Sequence, residues 1–117
     1  MKRFVLIILL NFICISLFSQ DDFYRRKAEE YTRQAEWYQK KANDYRREAD
    51  FYLRKAADYE REASYYLRNG DTSRAQTQQR YAKDATGKAQ TYLRYAKDAD
   101  DNAAMYLRWA SEALRRY

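Results

Sequence analysis

The chain has 117 residues and a net charge of +6 from 23 basic and 17 acidic side chains, with thirteen Tyr, two Gly, one Cys and neither His nor Pro. That length holds one domain at most, and the missing His and single Cys remove most metal sites and nucleophile–base pairs. Absent Pro and scarce Gly argue against a turn-rich all-β fold, while so much Tyr requires aromatic contacts to be part of the architecture.

The first element is an address. Lys2 and Arg3 precede an apolar run from Phe4 to Phe18, broken by Asn11, Cys14 and Ser16, before Ser19-Gln20 leads into Asp21-Asp22. A basic start, about 15 apolar residues and a small terminal residue resemble a bacterial secretory signal peptide over residues 1–19. The run is short of the roughly 20 apolar residues a membrane span needs. The expected location is therefore secreted or periplasmic. Ile13 is too large to precede a lipid-modified cysteine, so Cys14 reads as filler within the signal. Removing Lys2 and Arg3 with the signal lowers the net charge from +6 to +4. From Gln20 onward the chain contains no Val, Ile or Cys, and its large aliphatics are Leu53, Leu67, Leu93, Leu107, Leu114 and Met105. A conventional core cannot be built from that list, so Ala and Tyr must pack it.

The second element is a heptad helix, expected over about 22–68. Tyr stands at 24, 31, 38, 45, 52, 59 and 66, and Ala at 28, 35, 42, 49, 56 and 63. The 3–4 alternation is a coiled-coil seam with Ala at position a and Tyr at position d, and a period of 3.5 predicts a left-handed supercoil. Position f is basic throughout: Arg26, Arg33, Lys40, Arg47, Arg54, Arg61 and Arg68. Acids four residues earlier (Glu29, Glu36 and Asp50) predict supporting ion pairs to Arg33, Lys40 and Arg54.

Asn69-Gly70-Asp71-Thr72 breaks the pattern. Gly is suited to the position just past a helix, and Asp71 or Thr72 to capping the next one. A turn at 69–71 and a second helix over about 72–117 follow, each helix about 70 Å long. The second seam has Ala at 75, 82, 89, 96, 103 and 110, with Ala85, Tyr92, Ala99, Tyr106 and Ala113 at the other position. Gly87 falls on its outward face, costing about 1 kcal/mol.

Folding the chain back on the turn brings opposite each other residues whose numbers sum to 141. Tyr66 then meets Ala75, Tyr59 meets Ala82, Tyr52 meets Ala89, Tyr45 meets Ala96, Tyr38 meets Ala103 and Tyr31 meets Ala110, while Ala49 meets Tyr92 and Ala35 meets Tyr106. Three layers are Ala on Ala, and in this register no Tyr faces Tyr except Tyr24 and Tyr117 at the open end. Large facing small permits dense packing without long aliphatics. The expectation is an all-α fold: a long antiparallel two-helix hairpin over residues 20–117, with an Ala/Tyr heptad coiled-coil seam, after the signal peptide. A domain-swapped pair would use the same contacts.

Seven rings remain outside that seam. Phe23, Trp37, Phe51 and Tyr65 occupy position c, and Tyr81, Tyr95 and Trp109 occupy position g of the second helix. Projected through the same register they interleave as an aromatic ladder on one flank. They can be simple covers over Lys and Arg stems, a self-association surface forming a dimer or higher oligomer, or a binding face for another helical protein, a glycan or a lipid. The basic f stripe is either a solvated face or a contact for an anionic membrane or polysaccharide. Interleaved charge signs and the absence of any nucleic-acid-binding motif argue against nucleic acid, and a Tyr/Ala face inserts poorly into lipid. Neither a Gly-rich phosphate loop nor a nucleophile–base pair is present. The expected protein is a non-catalytic secreted or periplasmic structural or interaction coiled coil, with no cofactor, metal or catalytic residue, and its candidate binding residues are those seven rings.

Overall fold

A computed structural model describes residues 2–116, with side chains from Gln20 to Arg116. Helix α1 spans Lys2–Arg68 and helix α2 spans Thr72–Arg115, packed antiparallel as a two-helix hairpin, and there is no strand among the described residues. α1 begins at Lys2 rather than near residue 22. No Pro or Gly stands between Lys2 and Arg68, so nothing there interrupts the backbone ladder. The side chains that carry the signal-peptide reading of residues 1–19 lie outside the described residues, as does Tyr117, the expected partner of Tyr24.

The turn follows from four residues. Gly70 adopts φ 78°, a left-handed conformation that costs glycine little. Its N–H donates to the Leu67 carbonyl at 3.2 Å, and the Asp71 N–H donates to the Tyr66 carbonyl at 2.9 Å. These two bonds form a Schellman closure of α1. Asp71 then caps α2: its carboxylate accepts from the Arg74 backbone N–H at 3.1 Å and ion-pairs with the Arg74 Nε at 3.3 Å.

The chain divides into two compact units, one of residues 1–37 with 102–117 and one of residues 38–101. In the first, the buried side chains are Ala28, Ala35, Ala103, Ala110 and Ala113. In the second they are Ala42, Ala49, Ala56, Ala63, Ala75, Ala82, Ala85, Ala89, Ala96 and Ala99. The core of each unit is therefore the alanine seam, as the heptads require, and no large side chain is fully buried among the described residues. The seam tyrosines are half-buried. None of Tyr45, Tyr52, Tyr59 and Tyr92 hydrogen-bonds through its phenol to another described residue, and among the described residues no buried side-chain oxygen is left unpartnered. Their hydroxyls must therefore reach water while their rings pack.

The ion pairs differ from expectation. Acids pair mostly with arginines three residues on: Asp22 with Arg25 at 2.9 Å, Asp44 with Arg47 at 3.6 Å and Asp58 with Arg61 at 2.7 Å. Asp22 also reaches Arg26 at 2.9 Å. The expected Glu29–Arg33, Glu36–Lys40 and Asp50–Arg54 pairs do not form among the described residues. All six of these side chains are exposed, where water competes well with a long-chain ion pair. Arg46 of α1 ion-pairs across the hairpin with Asp100 of α2, and Arg46 also donates to Asn43 at 2.9 Å.

Candidate functional site

The seven rings left outside the seam all stand exposed, from Trp109 at 39% to Tyr65 at 57%. A helix-1 ring at position c leans edge-on against the seam Tyr that follows it. Phe23–Tyr24, Phe51–Tyr52 and Tyr65–Tyr66 have centroids 5.5, 5.3 and 5.6 Å apart and interplanar angles of 74°, 75° and 68°. A helix-2 ring at position g instead reaches across to a seam Tyr of α1. Trp109 meets Tyr31 at 5.7 Å, Tyr95 meets Tyr45 at 5.5 Å and Tyr81 meets Tyr59 at 5.4 Å. These six rings form an outer tier standing on an inner tier of seam tyrosines. Edge-on and tilted geometries suit the ring quadrupole and add about 0.5–1.5 kcal/mol per pair beyond area burial.

Cations also reach the seam rings from α2. At two of the g positions of α2 that carry no ring a cation stands instead: Lys88 lies 5.4 Å from the Tyr52 centroid and Arg74 lies 5.8 Å from that of Tyr66, whereas position 102 is Asn. On α1, Lys55 lies over Phe51 at 5.0 Å, and Lys27 lies 5.9 Å from both Phe23 and Tyr31. Each of these cations is favourably placed over the negative ring face.

The rings of the expected ladder divide between the two units. Phe23, Trp37 and Trp109 belong to the first; Phe51, Tyr65, Tyr81 and Tyr95 belong to the second. In the first unit, Phe23, Tyr24, Lys27, Tyr31, Trp109, Glu112, Ala113 and Arg116 line an open cleft of about 360 Å³. Among the described residues, no group of three or more His, Cys, Asp or Glu is placed to hold a metal ion.

Two features were missed in sequence. The seam rings are not isolated over alanines. Tyr92 stacks on Tyr52 at 5.7 Å with an interplanar angle of 8°, and it lies 6.2 Å from Tyr45; in the first unit Tyr31 lies 6.2 Å from Tyr106. Each pair comes from adjacent layers, because a Tyr ring is longer than the spacing between layers. The second feature is a run of exposed leucines: Leu53, Leu67 and Leu93 in the second unit, Leu107 and Leu114 in the first. Four of them sit in a repeated Tyr-Leu-Arg triplet (52–54, 66–68, 92–94 and 106–108), which places Leu at position e, beside the seam on the side away from the rings. That triplet was the available signal.

The chain matches no family model, no curated protein and no solved structure. Among the described residues, no helix is long and apolar enough to cross a membrane.

Proposed function

We propose that this is a non-catalytic, secreted or periplasmic structural coiled-coil protein that self-associates through its aromatic flank. The observation that carries this reading is the exposure of all seven outer rings on a hairpin whose seam alanines are already buried. Exposed aromatic surface marks interaction sites more often than bare solvent-facing surface. A second copy is the natural occupant because the rings recur every fourteen residues on α1 and on α2, so the same face on two copies can interdigitate about a twofold axis. The charge balance of the mature segment, the absence of His and the confinement of Cys to the apolar leader favour a structural over a catalytic role. Alanine at both Trp37 and Phe51 should lower the oligomeric mass in light scattering; an unchanged mass would remove the aromatic flank as the interface.

One observation favours a second reading, binding of an anionic membrane or polysaccharide by the f stripe. Arg33, Lys40 and Arg54 are exposed, with no carboxylate in ion-pair range among the described residues. Salt-sensitive retention on heparin or on anionic vesicles would support it, and no retention at low salt would eliminate it.

A further inference from the structure

We infer that the tyrosine cluster of the second unit is an oxidative cross-linking site, where a one-electron oxidant joins Tyr52 of α1 to Tyr92 of α2 through a biphenol bond. Tyr92 is the hub of the cluster, in contact with Tyr45, Tyr52 and Tyr95. The Tyr52–Tyr92 pair differs from its neighbours in geometry: the rings are parallel to within 8°, whereas Tyr45–Tyr92, Tyr59–Tyr81 and Tyr92–Tyr95 are inclined at 32°, 54° and 88°. Because these rings are already stacked, with centroids 5.7 Å apart, a slide of one past the other without a change of tilt can bring two ortho carbons together. The inclined pairs must first rotate against their packing.

The cluster also has an entrance and a route for protons. Tyr95 is 48% exposed and touches both Tyr45 and Tyr92, so an oxidant that reaches Tyr95 has a chain of ring contacts to Tyr52. The phenol oxygens reach water, which takes the proton lost with each electron. The Lys88 ammonium, 5.4 Å from the Tyr52 centroid, disfavours a ring cation and so promotes proton loss with the electron. No cysteine stands between Gln20 and Tyr117, so the hairpin itself offers no competing thiol.

The step balances with hydrogen peroxide and a haem peroxidase as oxidant. Each phenol loses one electron and one proton, and the two radicals form one carbon–carbon bond between ortho positions. The ortho hydrogens then move to the oxygens and restore both phenols. The two electrons and two protons reduce one peroxide to two waters. The product ties α1 to α2 within one chain, whether or not the chain self-associates.

The test treats the full chain, at dilute concentration, with a haem peroxidase and limiting hydrogen peroxide. The expected product keeps the mass of a single chain less two hydrogens, emits biphenol fluorescence and yields a proteolytic fragment joining the Tyr52 and Tyr92 peptides. Y92F should lose that fragment, while Y59F should retain it. The cross-linked chain should also melt at a higher temperature, since the bond closes a loop in the unfolded state. A within-chain bond mapping to another tyrosine pair, coupling only between chains, or a Tyr52-linked fragment surviving in Y92F would overturn the inference.

Discussion

Replacing Tyr92 tests how this core is held together. Its ring touches Tyr45, Tyr52 and Tyr95, and its half-buried side chain keeps its hydroxyl in water. Y92F removes only a hydrated oxygen, so its effect on unfolding free energy should stay within about 0.5 kcal/mol. Y92A removes the ring. A fully buried aromatic truncated to alanine costs about 3–5 kcal/mol. Half burial lowers the transfer part, and loss of three ring pairs at about 0.5–1.5 kcal/mol each restores some of it without strict additivity. The expected loss is about 2–3 kcal/mol. Urea unfolding followed by far-UV circular dichroism measures both variants against the parent chain. A Y92F cost above about 1 kcal/mol would mean the hydroxyl holds a protein partner. A Y92A cost below about 1 kcal/mol would mean the alanine seam alone sustains the hairpin.

Other positions give independent checks. Gly87 is helical, with nothing within 4 Å of an added Cβ, so G87A should raise stability by about 0.4–1 kcal/mol in the same urea experiment. G70A, at φ 78°, should lower it by about 1–2 kcal/mol, because a Cβ is strained in the left-handed region whatever space surrounds it. D71A deletes the α2 cap and should cost about 1 kcal/mol, with D71N recovering most of the loss. Y65A deletes one edge-on pair with Tyr66 from a ring that is 57% exposed, so it should cost no more than about 0.5–1.5 kcal/mol. A large loss from Y65A would place the ring in the fold rather than on a surface.

The hairpin was legible because its two periods are written in residues with opposite roles. Ala at position a is small enough to bury completely, and Gly70 with Asp71 marks the reversal without ambiguity. The contacts of the seam rings were less legible. A facing register assigns each residue one partner, whereas Tyr92 reaches into the layers of both Tyr45 and Tyr52. Spacing alone does not encode ring length. The ion pairs failed for a different reason: several i,i+3 and i,i+4 partners compete on an exposed face, and shorter Asp side chains found the nearer arginine, as Asp58 did with Arg61. For the candidate surface, heptad position separated Trp37 and Phe51 from the seam correctly. The Leu flank went unread because Leu53 and Leu67 were counted as scarce core material rather than placed at position e.

The most direct test of the account is the mass of residues 20–117 in solution, measured by light scattering at low and at high salt; leaving out the apolar residues 1–19 restricts the reading to the hairpin. The aromatic flank predicts a mass above that of one chain, held or increased as salt rises, because apolar association is strengthened while charge contacts are screened. A single-chain mass at both salt concentrations, or an assembly that dissolves as salt rises, would contradict it.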